Sequence, residues 1–171
     1  MLDRALTFAK QAHGDQVRKY TGEPYVSHLI EVAQKVDDHG GDVVMQTAAI
    51  LHDVVEDTPV TIQQVHDAFG KAVSDLVYWL TDVSKPEDGN RAFRKAMDAD
   101  HLAKAPRDAQ FIKLADLISN SRSIIEHDPS FAKVYVKEKQ HLLSVMTKVQ
   151  DTKLYAIAKK IVEEYQDVPK L

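Results

Sequence analysis

A histidine and an aspartate stand side by side as His52 and Asp53, and Glu56 and Asp57 follow within about one helical turn. The run Leu51-His52-Asp53-Val54-Val55-Glu56-Asp57-Thr58 closes a stretch that is otherwise apolar. A His-Asp pair near the end of an apolar helix is expensive to bury without a partner. On a continuous helix Glu56 shares the His52 face and Asp57 the Asp53 face. Three carboxylates crowded in this way repel one another unless protons or a cation offset them. A divalent metal would do so, and imidazole with carboxylate suits manganese, iron or zinc better than calcium or magnesium. The competing reading is a helix C-terminus that opens into solvent with all four groups hydrated.

Two other places carry ligand-type residues. His28 closes the tract Gly22-Glu23-Pro24-Tyr25-Val26-Ser27-His28, just inside a helix with an apolar face. A lone histidine there is more often a satisfied core or surface residue than a ligand. Asp116 lies within the apolar stretch Phe111-Ile112-Lys113-Leu114-Ala115-Asp116-Leu117-Ile118. Lys113, three residues before, and Asn120, four after, share its face. A structural Lys113–Asp116 ion pair is the plain alternative to metal ligation.

Helices must position these residues, because apolar side chains recur at helical spacing almost throughout. Leu2, Leu6, Phe8 and Ala9 predict a first helix ending near His13-Gly14, followed by a loop from Asp15 to Glu23. Pro24 stands near the start of a second helix, which carries Ile30, Val32, Ala33 and Val36 and stops at Gly40-Gly41. Asp42 is a candidate N-cap for a helix from Val43 to about Val55, which Thr58-Pro59 breaks. Thr61 caps a short helix to Phe69; beyond Gly70 the pattern resumes from Val73 to Val83. After a loop over 84–90, helices are expected at 91–104, 107–126, 130–149 and 152–166. No alternating pattern persists, so the expected class is all-α, with residues 1–171 as a single domain.

With 171 residues, 44% of them hydrophobic, the chain can bury one sizeable core. The absence of cysteine excludes disulfides, thiolate metal sites and thiol catalysis. A net charge of -4 argues against nucleic acid as a general partner, so an anionic small molecule would need locally concentrated positive charge. The N-terminus lacks a signal-peptide pattern, and no apolar run reaches the roughly 18–20 residues of a membrane span. A cytoplasmic protein with no membrane partner is the expectation; the sequence does not reveal the oligomeric state.

The order His, then His-Asp, then a distant Asp is the ligand order of the HD phosphohydrolase superfamily, and short tracts match around each ligand. The chain resembles the hydrolase domain of the RelA/SpoT homologues, particularly the stand-alone small alarmone hydrolases that include the metazoan SpoT homologue. The matching tracts are His13-Gly14-Asp15-Gln16-Val17-Arg18-Lys19, Gly22-Glu23-Pro24-Tyr25 through His28, and Ala49 through Thr58. Phe69-Gly70, Leu76-Val77, Thr81-Asp82, Arg94-Lys95 and Ile112-Lys113-Leu114-Ala115-Asp116 complete the set. The likeness covers roughly residues 5–125 well and the last two helices loosely. The stretch after residue 125 is expected to hold two helices and no synthetase.

The resemblance implies an HD-domain helical fold and roles for particular residues. His28, His52, Asp53 and Asp116 match the metal ligands, with Mn2+ as the usual ion, one per chain. Glu56 and Asp57 match the acidic pair that handles the attacking water. Arg18 and Lys19 match a basic pair near the nucleotide, and Asn120 matches a substrate-contacting asparagine. The looser match of the last helices sets Tyr135 against a tyrosine beside the nucleotide. Lys85, Arg94 and Lys95 are phosphate neighbours or a solvated helix face. The implied reaction is removal of the 3′-pyrophosphate of guanosine tetra- or pentaphosphate, giving GDP or GTP. The alternatives are the same chemistry on another nucleotide, such as an adenosine alarmone or the 2′-phosphate of NADPH, and a non-catalytic alarmone-binding module. The chain departs from the family at Leu117, usually basic, and at Ser119, often His or Tyr; both are expected to alter the substrate pocket.

Overall fold

The computed structural model of the chain describes residues 1–166. The helices are α1 (Leu2–His13), α2 (Val26–Asp38), α3 (Val43–Leu51), α4 (Val54–Asp57), α5 (Ile62–Phe69), α6 (Lys71–Leu80), α7 (Arg91–Lys104), α8 (Arg107–His127), α9 (Pro129–Val145) and α10 (Lys153–Gln166). Short 3-10 turns lie at Pro86–Asp88 and Thr147–Val149. Among the described residues there is no strand, only an isolated bridge between Val17 and Pro24. No helix among them is long and apolar enough to cross a membrane.

Local chemistry sets several of these boundaries. Asp42 accepts from the backbone of Val44 and Met45, satisfying two orphan N–H groups at the start of α3. Thr61 and Gln64 form a capping box at α5. The turn between α2 and α3 requires glycine at position 41, where a Cβ would meet Val36 Cγ1 at 2.3 Å and the Val36 carbonyl oxygen at 2.9 Å.

The organising element is α8. Ordinary surface helices bury one stripe, whereas Gln110, Ile112, Leu114, Ala115, Leu117, Ile118, Ser119 and Ser121 of α8 are all essentially buried, so this helix is covered on every side. It packs against α2, α3, α6, α9 and α10. Each fully buried Leu or Ile contributes about 1.5–3 kcal/mol. The polar members of α8 must therefore be satisfied inside the protein. Gln110 illustrates this: its amide donates to the Leu102 carbonyl, and its oxygen accepts from Lys148 N–H.

The helix expected from Val43 to about Val55 is interrupted. α3 ends at Leu51, and α4 begins only at Val54. Asp53 takes φ -97° and ψ -3°, a sparsely allowed conformation common at active sites. The Ala49 carbonyl accepts from the His52 ring at 2.7 Å. The apolar pattern continues through Val54 and Val55 and conceals this break.

Candidate active site

α2, α3 with its following turn, and α8 bring four of the ligand-type side chains together. His28 and His52 are fully buried, with ring centroids 5.3 Å apart. His52 Nε2 lies 3.0 Å from Asp53 Oδ2 and 3.6 Å from Asp116 Oδ1. His28 Nε2 lies 3.3 Å from Asp116 Oδ1 and 3.8 Å from Asp53 Oδ2. Nδ1 of each ring is occupied, by Ser119 Oγ for His28 and by the Ala49 carbonyl for His52. Each Nε2 is buried without a hydrogen-bond partner. Two orphaned imidazole nitrogens facing two carboxylates are costly as they stand and fit a divalent cation. Donor atoms of His28, His52 and Asp53 lie within 4.8 Å of one another, close enough to hold a metal ion.

The electrostatics of the cluster also call for positive charge. Burial works to lower the His52 pKa, yet Asp53 and Asp116 override it and hold the ring well above the usual imidazole range. Burial would raise Asp53, but chiefly His52 pulls it down to about 2. Asp116 divides its two oxygens. Oδ2 pairs with Lys113 at 2.9 Å, while Oδ1 faces the histidines and accepts from Asn120 at 2.7 Å. One carboxylate therefore holds the ion pair and still presents an oxygen to both histidines. Lys113 is the largest of the influences opposing burial that keep Asp116 well below the usual carboxylate range.

The acidic pair lies on α4, just past the interruption after Leu51. Asp57 N–H still donates to the Asp53 carbonyl at 2.9 Å, as in a helical turn, so the pair follows directly on the ligand-type residues. Glu56 accepts from the Asp82 backbone at 3.2 Å, and Asp57 accepts from the Gln16 amide at 3.1 Å. Loss of bulk water, and then the like charge of Asp82, push the Glu56 carboxyl up to about 7 against the pull of Lys113. Glu56 is nonetheless exposed at the rim, and the nearby Asp82 is the firmer cause.

Two clefts adjoin the cluster. The first is lined by Arg18, Lys19, Tyr20, Tyr25, His28, Asn120, Ser123, Ile124 and Phe131. Its basic pair sits on a clip in which Arg18 N–H donates to the Glu23 carbonyl and Tyr25 N–H to the Gln16 carbonyl. Gly22 closes the clip with φ 71°, which a side chain would strain. The second cleft is lined by Glu56, Asp82, Ser84, Arg91, Arg94 and Lys95, with Val55 and Thr81. Lys95 pairs with Asp82 at 2.7 Å, and Arg94 Nε is buried without a partner. Lys85 stands exposed on the loop before α7, outside this lining.

Tyr135 is not brought into the first cleft. It is buried, its hydroxyl lies 3.1 Å from Ser121 Oγ, and the Lys139 ammonium sits over its ring. Leu117 packs in the core and Ser119 sits behind His28, so neither of these departures lines the first cleft.

Sequence reasoning assigned no role to Tyr25, Gln16, Glu31 or Asp82. Tyr25 donates to Asp53 Oδ2 at 2.5 Å, and Glu31 accepts from Ser119 at 2.7 Å. Only Glu31 had a local signal, because it lies three residues after His28 on the same helical face.

The HD-domain family model matches residues 5–150. A Synechocystis sp. protein named "Probable guanosine-3′,5′-bis(diphosphate) 3′-pyrophosphohydrolase" is 35% identical over 150 residues, covering 84% of this chain and 19% of that protein. An Aquifex aeolicus guanosine-3′,5′-bis(diphosphate) 3′-pyrophosphohydrolase is 33% identical over 177 residues, covering 98% of this chain and 25% of its own length. The chain thus spans a quarter or less of these two relatives. Among solved structures, that of a metazoan ortholog of SpoT, described as hydrolysing ppGpp, superposes with a TM-score of 0.83 at 27% identity, covering 95% of this chain and 94% of that one.

Proposed function

The chain belongs to the HD-domain family, and on that premise we propose that it hydrolyses the 3′-pyrophosphate of guanosine 3′,5′-bis(diphosphate), giving GDP and pyrophosphate. The pentaphosphate would give GTP by the same cut. The observation that carries the reading is the pair of buried, unpartnered Nε2 atoms of His28 and His52 facing Asp53 and Asp116. The named activity of the relatives supports the choice of substrate.

His28, His52, Asp53 and Asp116 would hold one divalent ion, manganese in this reading. Such an ion supplies a water of lowered pKa and neutralises phosphate charge. The residues around it do the rest. Glu56 or Asp57 takes the proton of the attacking water, a general base having to lie within hydrogen-bond reach of it. Gln16 holds Asp57 in place through its amide. Arg18 and Lys19 draw the anionic nucleotide into the first cleft, and the planar Arg18 guanidinium offers the base a stacking surface. Asn120 lines the same cleft while steadying Asp116. Tyr135, buried behind this wall, would bear on the nucleotide only indirectly. The whole site draws on the loop after α1 and on elements from α2 to α8, and acts as one domain.

The deciding experiment incubates purified protein with manganese and guanosine 3′,5′-bis(diphosphate) and identifies the products. GDP with pyrophosphate is expected. Phosphate released from NADPH with the guanosine nucleotide left intact would move the assignment to another substrate. Tight binding without product would make the protein a sensor.

A further inference from the structure

We infer that Glu31 and Ser119 are positioning residues that join the metal side of the site to the nucleotide side through a single carboxylate oxygen. Glu31 Oε2 accepts from Ser119 Oγ at 2.7 Å and from Arg18 Nη1 at 3.1 Å. Ser119 Oγ in turn lies 3.0 Å from His28 Nδ1. The chain Arg18–Glu31–Ser119–His28 thus runs unbroken from the cleft to the candidate metal centre. The inference rests on the proposed roles of His28 as a ligand and Arg18 as a nucleotide contact.

The direction of each hydrogen bond is set by chemistry. An ionised carboxylate only accepts, so the Ser119 hydroxyl spends its single hydrogen on Glu31. Its oxygen can then only accept from His28, which places the histidine proton on Nδ1 and leaves the Nε2 lone pair for a cation. Outer partners of this kind fix the orientation of a ligating imidazole and raise its basicity. His28 and Ser119 are 1% and 2% exposed, too buried for water to replace the contact. Arg18 and Glu31 are more open, with side-chain exposures of 14% and 34%, so this end of the chain can respond to a solute. Lys35, 3.2 Å from Glu31 Oε1, keeps the carboxylate charged and in place.

The linkage has a definite sign. A phosphate that engages Arg18 draws part of the guanidinium charge away from Glu31. Glu31 then pulls harder on the Ser119 hydrogen, Ser119 on the His28 proton, and Nε2 becomes the better donor to a cation. Anion and cation binding therefore strengthen each other, and by linkage the effect is reciprocal.

The test titrates the metal-free full chain with manganese by calorimetry, with and without GDP and corrected for chelation by GDP itself. In the wild type GDP should tighten manganese binding by about fivefold or more. Ser119→Ala should weaken manganese binding by about 10–100-fold while leaving GDP binding to the metal-free protein intact. Glu31→Gln keeps an acceptor oxygen and loses the charge, so it should abolish the effect of GDP on manganese affinity; its half-exposed position lets the fold survive. Unchanged manganese affinity in Ser119→Ala, or an undiminished GDP effect in Glu31→Gln, overturns the inference. A wild type that binds no manganese fails the metal reading itself, and one that binds manganese without GDP fails the nucleotide reading; the shared support falls with either.

Discussion

Tyr25 donates a 2.5 Å hydrogen bond to Asp53 Oδ2, the oxygen that also lies 3.0 Å from His52 Nε2. Burial, followed by Asp53 itself, holds the phenol far above its ordinary range, so it stays a donor at any working pH. The ring packs on His13 with centroids 4.9 Å apart. Tyr25→Phe keeps that packing and deletes only the bond. Manganese affinity should fall by about 10-fold or more, as for other outer partners of metal ligands, with the melting temperature nearly unchanged at saturating metal. Equal affinity in a manganese titration would show that Asp53 needs no such support.

Metal binding should be visible as stability. A site that binds the folded state alone adds about 2.7 kcal/mol at a free-ion concentration 100 times the Kd. Manganese should therefore raise the melting temperature of the wild type, and a chelator should reverse the rise. His52→Ala and Asp116→Ala should show no such rise. Asp116→Ala should also melt lower without metal, since part-buried Lys113 loses its 2.9 Å partner. A full metal-induced shift in both variants would place the ion elsewhere.

Glu56 predicts a pH dependence. Its carboxyl is raised from 4.5 to about 7 by loss of bulk water and by Asp82. A raised acid holds its proton longer in the folded state, so its contribution to stability falls as pH rises through that window. The basic form appears at its upper end. Activity should rise with pH and level off at or below about 7, because a cation held nearby favours the carboxylate. Glu56→Gln should flatten this limb and cost about 10²–10⁴-fold in rate, with metal content retained. Asp82→Asn should move the limb to lower pH. A limb that survives in Glu56→Gln belongs to another group.

Gln110 is a purely structural counterpart. Its side chain is buried and joins the end of α7, the start of α8 and the turn after α9 through the Leu102 carbonyl and Lys148 N–H. Gln110→Leu fills the space and leaves the Lys148 N–H without its acceptor, costing about 1–3 kcal/mol, while the Leu102 carbonyl keeps the Ala105 N–H. Denaturant unfolding should register this loss with little change in the metal affinity of the remaining folded protein.

The helices are legible in the sequence because their signals are local. Asp42 and Thr61 cap α3 and α5, Gly40-Gly41 ends α2, and the apolar spacing from 107 onward marks α8. His28, His52, Asp53 and Asp116 can be singled out by residue type and order. The turn at His52-Asp53 is not legible, because Val54 and Val55 continue the apolar rhythm across the break between α3 and α4. Nor are the supports of the site. Tyr25 to Asp53, Gln16 to Asp57 and Ser119 to Glu31 join positions 28, 41 and 88 residues apart, and periodicity reports only neighbours on one helix.

The burial of α8 on every side also shapes how this chain comes off the ribosome. His28, His52 and Asp53 are synthesised well before Asp116, and the apolar faces of α2, α3 and α6 emerge before the helix that covers them. At about 5–20 residues per second the nascent chain spends several seconds with those faces unpaired. That interval invites chaperone capture, and the four ligand-type side chains meet only after α8 has docked. Premature stops anywhere before α8 should accordingly yield fragments prone to aggregation, none of them holding Asp116 beside His28, His52 and Asp53.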